Sequence, residues 1–151
     1  MTELTDASKQ NIQALYRDFL RARNLKPRLG QKQMIAEVAK ILSRIHDEAA
    51  PPIGFIEAGT GTGKTLAYLV GALPVALERE MPLVISTATV SLQTQLIEKD
   101  LPDLVEATEL MVSWALAKGR RRYVCPIRLE AALETVSGQD AMYPDELTLV
   151  L

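Results

Sequence analysis

The chain has 151 residues, of which 48% are hydrophobic and 24% charged, as expected for one folded domain. The formal net charge of −2 excludes a generally basic nucleic-acid binder but allows a local basic cluster. The N-terminus shows no secretory signal and no apolar run approaches the ~20 residues of a membrane span, so we expect no membrane association.

Two amphipathic helices are predicted before the middle of the chain. Residues 6–23 place apolar side chains at helical spacing, namely Ile12, Leu15, Tyr16, Phe19 and Leu20. Residues 31–45 repeat this spacing with Met34, Ile35, Val38, Ile41, Leu42 and Ile45. His46 follows the second helix and is predicted to complement the helix dipole at the surface, rather than to bind a metal.

A glycine-rich turn follows the predicted strand at residues 54–57, and Lys64 opens a helix. This is the strand–loop–helix context that a phosphate-binding P-loop requires. The glycines would let backbone N–H groups converge on phosphate oxygens. Lys64 is predicted to reach the β- and γ-phosphates of a nucleotide, and the Thr65 hydroxyl to hold Mg²⁺. The candidate nucleotide-binding residues are Ala58 (where the general pattern has glycine), Gly59, Thr60, Gly61, Thr62, Gly63, Lys64 and Thr65.

The remaining elements alternate between helices and strands. A helix over residues 64–80 is predicted to be kinked or interrupted by Pro74. A buried strand is expected at 82–86, a helix at 92–100 ended by Pro102, a third strand at 110–117 with Trp114 in the core, a helix near 123–134, and coil over the last ten residues. Such alternation predicts an α/β fold with a parallel sheet and right-handed crossovers.

Four sequence blocks, in this order, resemble the N-terminus of DinG-type DNA helicases, in the XPD-like iron–sulfur branch of superfamily 2. The resemblance covers about residues 10–135. It implies a partial RecA-like motor domain behind two N-terminal helices, with ATP and Mg²⁺ as ligands and single-stranded DNA as partner. The blocks are Pro27-Arg-Leu-Gly-Gln-Lys-Gln-Met34, Glu57-Ala-Gly-Thr-Gly-Thr-Gly-Lys-Thr65, Ser86-Thr-Ala-Thr-Val-Ser-Leu-Gln-Thr-Gln95 and Gly119-Arg-Arg-Arg-Tyr-Val-Cys-Pro126.

The resemblance also implies roles for residues outside the P-loop. Arg28 and Gln31 would contact adenine, since an amide offers a donor and an acceptor to the base; the alternative for Gln31 is a polar helix start. Neutral side chains of the third block would follow a single-stranded DNA backbone, although composition alone favours a polar turn and helix cap. These side chains are Thr87, Thr89, Gln93 and Gln95.

The fourth block carries the one dense basic cluster and the only cysteine. Lys118, Arg120, Arg121 and Arg122 are expected either to bind DNA phosphates or to form a solvated loop. In the family, the cysteine at the position of Cys125 is the first of four ligands to a 4Fe–4S cluster. With one cysteine, this chain cannot assemble the cluster alone, and the alternative for Cys125 is a small buried hydrophobe.

The expected organisation has three parts: N-terminal helices with the adenine-reading motif (1–50), an incomplete P-loop core (51–118) and the start of a truncated iron–sulfur region (119–151). ATP hydrolysis would need an acidic pair at the end of a second apolar strand. Asp145 and Glu146 follow Tyr-Pro rather than a strand, and no other acidic pair fits. The resemblance implies the ATP-binding part of a DNA helicase that unwinds in the 5′-to-3′ direction. We expect this part to be cytoplasmic and, without the acidic pair, inactive alone. The alternatives are a non-enzymatic nucleotide- or DNA-binding fragment and a small P-loop kinase, which would leave the third block unexplained.

Overall fold

The computed structural model describes residues 4–44 and 52–137, without the side chains of residues 136 and 137. It divides into two compact units, Met1–Ser113 and Trp114–Leu151. Three predicted features lie outside the described residues. They are the end of the second helix at Ile45, the surface role of His46, and the C-terminal coil with Asp145 and Glu146. The three-part division of the sequence stays a prediction.

The predicted helices are present, with shifted ends. The first unit contains α1 (Asp6–Ala22), α2 (Leu29–Ser43), α3 (Lys64–Glu78), α4 (Val90–Gln95), a π-helical turn (Leu96–Asp100) and α5 (Leu101–Ala107). The second unit contains a 3₁₀ turn (Arg120–Arg122) and α6 (Pro126–Ser137). Within the described ranges, no helix is both long enough and apolar enough to cross a membrane.

The predicted sheet is absent. Residues 4–44 and 52–137 contain no β-strand, so the α/β fold with a parallel sheet, and with it the partial RecA-like motor domain, is wrong. Strands of a parallel sheet are covered on both faces, whereas Phe55, Val84 and Met111 are 95%, 87% and 89% exposed. Trp114 is also exposed and does not fill the core. A run of apolar residues has only a local preference for extended backbone. A β-strand also needs a second strand to pair with, and the run does not specify one.

The core forms where α3 packs against α1 and α2. The predicted apolar stripe of α1 is buried as a whole, with Ile12, Leu15, Tyr16, Phe19 and Leu20 each at most 9% exposed. Helices α2 and α3 approach closely at Gly71, where an added Cβ would lie 2.8 Å from the Ile35 carbonyl oxygen. The glycine therefore sets the spacing between the two helices.

Neither proline ends its helix. Helix α3 continues through the buried Pro74 to Glu78, so the predicted interruption is wrong. Helix α4 passes into the π-helical turn and then into α5, with helical backbone angles at Leu96 and Leu101, so Pro102 does not end the segment. A proline ring clashes with the carbonyl group four residues earlier in a regular α-helix, and the wider turn before Pro102 accommodates it.

Two adjacent residues at the C-terminal end of α3 cap the other two helices. The Glu78 carboxylate accepts hydrogen bonds from the hydroxyls of Thr5 (2.9 Å) and Ser8 at the start of α1. The Arg79 guanidinium donates to the carbonyl oxygens of Leu42 (2.9 Å) and Ser43 (2.6 Å) at the end of α2. Each charge complements the dipole of the helix end that it contacts.

The carboxylate of Glu78 should make stability depend on pH. The Ser8 hydrogen bond, followed by that from Thr5, lowers the pKa of Glu78. A lowered pKa stabilises the fold above the ordinary glutamate pKa, and this contribution is lost as the pH falls through the lowered value. We expect Glu78→Gln to lower the thermal midpoint by about 2 °C at neutral pH, and by less at an acidic pH below the lowered pKa. A thermal melt at both pH values checks this, and an equal loss at both would show that charge is not the cause.

Candidate nucleotide-binding site

The loop before α3 requires glycine at two positions. Gly61 and Gly63 have positive φ angles of +75° and +79°, a left-handed conformation that strains other residues. A Cβ on Gly63 would also lie 2.3 Å from Gln31 Nε2, whereas the space around Gly61 is open. Gly59 has no positive φ and nothing within 4 Å, so only two of the three predicted glycines carry the turn.

Side chains of the loop bond to its own backbone. The Lys64 ammonium donates to the carbonyl oxygens of Ala58 and Gly59, each at 2.9 Å. The Thr62 hydroxyl donates to the Gly59 carbonyl at 2.6 Å. Lys64 and Thr60 are exposed. The ammonium therefore lies against the turn, at the start of α3, where the first helical N–H groups have no acceptor within the helix.

Two side chains at the start of α2 hold the carbonyl groups of the left-handed glycines. The Arg28 guanidinium donates to the Gly61 carbonyl. Gln31 Nε2 donates to the Gly63 carbonyl at 3.1 Å, and that carbonyl also accepts the N–H of Ala67 (3.1 Å). The role predicted for Arg28 and Gln31 is adenine contact, whereas in this structure both side chains contact the loop.

Tyr16 is the site residue that the sequence did not indicate. Its buried hydroxyl donates to Gln31 Oε1 at 2.7 Å and accepts from the backbone N–H of Arg28 at 3.4 Å. The apolar stripe of α1 predicted Tyr16 only as a core residue. The available signal was its phenol group, because a buried tyrosine hydroxyl usually has a hydrogen-bond partner.

Thr65 lies beside a groove that also reaches the third block. Burial raises the pKa of the Tyr68 phenol, and the nearby Thr65 side chain partly offsets that effect. The groove has a volume of about 600 Å³, and its lining includes Lys64, Thr65, Tyr68 and residues 85–88. The start of α3 and the beginning of the third block therefore face one space.

The polar side chains of the third block have partners within the chain. The Thr87 hydroxyl donates to the Thr89 carbonyl at 3.1 Å, and the Thr89 hydroxyl caps α4 by accepting the N–H of Leu92 at 3.2 Å. Gln95 Nε2 donates to Asp100 at 3.0 Å. Thr87 and Gln95 line the groove, whereas Thr89 and Gln93 do not. Their DNA-binding role stays a prediction.

The second unit carries the basic cluster and the cysteine on its surface. Arg120 and Arg121 are exposed in the 3₁₀ turn. Cys125 is a free, exposed thiol, so the alternative of a buried hydrophobe is wrong. The part of the chain that the structure describes contains no group of three or more His, Cys, Asp or Glu side chains suited to a metal ion. Because a 4Fe–4S cluster takes several thiolates, these residues do not fit it.

The chain is similar in sequence to DNA helicases. No family model matches it. It is 46% identical over 124 residues to the ATP-dependent DNA helicase DinG of Photobacterium profundum, covering 82% of this chain and 18% of that protein. It is 42% identical over 155 residues to the ATP-dependent DNA helicase DinG of Escherichia coli, covering 96% of this chain and 20% of that protein. The chain thus spans about a fifth of the length of these relatives.

Proposed function

Because this chain is a relative of the ATP-dependent DNA helicases named DinG over most of its own length, we propose that it supplies the ATP-binding loop of such a helicase. The observation that carries the proposal is the turn before α3. Two left-handed glycines, Gly61 and Gly63, lead directly into Lys64 at the start of a 15-residue helix. A turn of this kind presents backbone N–H groups and the positive end of a helix dipole to an anion.

Each loop residue has a distinct role in the proposed binding. The Lys64 ammonium exchanges its two carbonyl partners, Ala58 and Gly59, for oxygens of the β- and γ-phosphates. The N–H groups of residues 61–65 donate to the remaining phosphate oxygens. The Thr65 hydroxyl would hold Mg²⁺, a hard cation that prefers oxygen ligands. When bound there, Mg²⁺ would supply positive charge that offsets the charge of the phosphates.

DNA is the proposed second ligand. Thr87 and Gln95 line the same groove as Lys64 and Thr65, which supports a strand passing near the nucleotide. Neutral hydroxyl and amide groups contact a phosphate backbone without reading its sequence. In the second unit, the exposed Arg120 and Arg121 would contribute charge to phosphate binding. We further propose that the DNA is single-stranded, that the helicase unwinds DNA in the 5′-to-3′ direction, and that the protein is cytoplasmic.

The proposal is tested by titrating this chain with ATP in the presence of Mg²⁺. We expect saturable binding that inorganic tripolyphosphate displaces and adenosine does not, because the loop contacts phosphates. We expect no turnover with or without a single-stranded oligonucleotide, since no apolar run of this sequence ends in an acidic pair. Absent binding, or binding that tripolyphosphate leaves unchanged, would refute the proposed loop function.

The same experiment separates the alternative functions. Turnover stimulated by the oligonucleotide would support the helicase assignment and contradict the expected inactivity. Phosphate transfer to a small acceptor would instead favour a kinase. Binding of ATP without any effect of DNA would favour a nucleotide-binding part that does not itself engage the strand.

A further inference from the structure

We propose that Tyr16 holds the phosphate-binding loop in shape by positioning Arg28 and Gln31, and that Gln31 acts on the loop rather than on the base. This inference rests on the proposed function, because it concerns how the same loop binds phosphate. It places a positioning residue on α1 (Asp6–Ala22), far in sequence from the loop.

The contacts to the two glycine carbonyls reinforce the direction in which the loop presents its N–H groups. At Gly63 they act together with the Ala67 N–H, which bonds the same carbonyl. In a trans peptide, the C=O of one residue and the N–H of the next point in opposite directions. Arg28 draws the Gly61 carbonyl towards the start of α2, and Gln31 does the same to the Gly63 carbonyl. The N–H groups of Thr62 and Lys64 are therefore turned away from α2, and so remain available to a phosphate.

The Tyr16 hydroxyl determines the orientation of the Gln31 amide. It donates to Gln31 Oε1 at 2.7 Å, which leaves Nε2 to donate to the Gly63 carbonyl at 3.1 Å. A reversed amide would bring its oxygen against the Gly63 carbonyl, and two acceptors would then meet. Both side chains are buried, Tyr16 at 7% and Gln31 at 5% exposure, so water cannot readily replace the missing donor.

The same hydroxyl also contacts Arg28. It accepts from the Arg28 backbone N–H at 3.4 Å, next to the first turn of α2. One phenol group therefore connects to both residues that hold the left-handed glycines. Because these contacts are to the loop backbone and not to a base, their loss should affect every triphosphate equally.

The test compares variants by their affinities for Mg²⁺–ATP, Mg²⁺–GTP and inorganic tripolyphosphate, at a temperature where all are folded. We expect Tyr16→Phe to weaken binding of all three ligands by a common factor of about five to ten. Gln31→Glu should weaken them at least as much, because a carboxylate accepts from Tyr16 but cannot donate to Gly63. Far-ultraviolet circular dichroism establishes that each variant is folded.

Ser8→Ala is the matched control. Ser8 is also a buried hydroxyl residue of α1, but its partner is Glu78 at the other end of α3. It should lower thermal stability and leave all three affinities unchanged. A simple loss of packing on α1 would instead lower the affinities of Ser8→Ala and Tyr16→Phe together, and would overturn the proposal.

Two further outcomes contradict the inference while leaving the proposed function intact. Folded Tyr16→Phe with wild-type affinities would show that the hydroxyl does not shape the loop. A loss in Gln31→Glu that is confined to ATP and absent for tripolyphosphate would show that Gln31 reads adenine. If the wild-type chain binds neither ATP nor tripolyphosphate, the proposed function fails and this inference fails with it.

Discussion

Replacing Lys64 by alanine should weaken Mg²⁺–ATP binding by about 30- to 100-fold while leaving the chain folded. The ammonium is exposed, and its bonds are to the carbonyl oxygens of Ala58 and Gly59 in its own loop. Its removal therefore costs little in the free protein. In the complex it removes a charge-assisted contact to phosphate, the stronger class of hydrogen bond. Isothermal titration calorimetry measures the change directly.

Lys40→Ala is the control for the Lys64 variant. It removes an equal charge from the last turn of α2, and so tests for a general electrostatic effect on anion binding. We expect its ATP affinity to differ from that of the wild type by less than about twofold. An unchanged affinity in Lys64→Ala would contradict the assignment of the loop to nucleotide binding.

Gly63→Ala should reduce stability and nucleotide affinity together. At φ +79° an alanine is strained, and its Cβ would lie 2.3 Å from Gln31 Nε2, the atom that holds the Gly63 carbonyl. Left-handed strain costs about 1–3 kcal/mol, which corresponds to a fall of about 3–9 °C in the thermal midpoint. Displacing Gln31 should also lower ATP affinity by more than about tenfold.

The other loop glycines provide a graded series for this prediction. In Gly61→Ala the alanine would have a positive φ, but its Cβ would have no atom within 4 Å. The variant should therefore show the backbone strain without a steric clash. Gly59→Ala should cause neither backbone strain nor a steric clash, so its thermal midpoint should lie within about 1 °C of the wild-type value. Thermal melts and ATP titrations of the three variants test the order. Equal effects at Gly59 and Gly63 would mean that the loop does not have the described conformation.

The sequence indicates the helices and the loop well because both depend on nearby residues. Apolar side chains at helical spacing identified the buried stripe of α1, from Ile12 to Leu20. The glycines and Lys64 identified the turn and the start of α3. In each case, the residues that specify the structure lie within a few positions of one another.

The parts that failed depend on distant partners. The apolar runs around Phe55 and Val84 predicted strands, but no strand pairs them among residues 4–44 and 52–137. Hydrophobic periodicity identified Tyr16 as a core residue and gave no indication that its hydroxyl reaches Gln31. The expectation that proline ends a helix also predicted a helix end at Pro102. The structure instead has a wider, π-helical turn just before that residue.

The two caps at the end of α3 join three helices into one cooperative element. Because Glu78 holds the start of α1 and Arg79 holds the end of α2, neither helix end can fray unless the end of α3 moves as well. Amide protons at those two ends should then exchange with solvent in a single opening event. The loop lies at the opposite end of α3, about 22 Å away by helical rise, and it can rearrange around a phosphate while this junction stays closed.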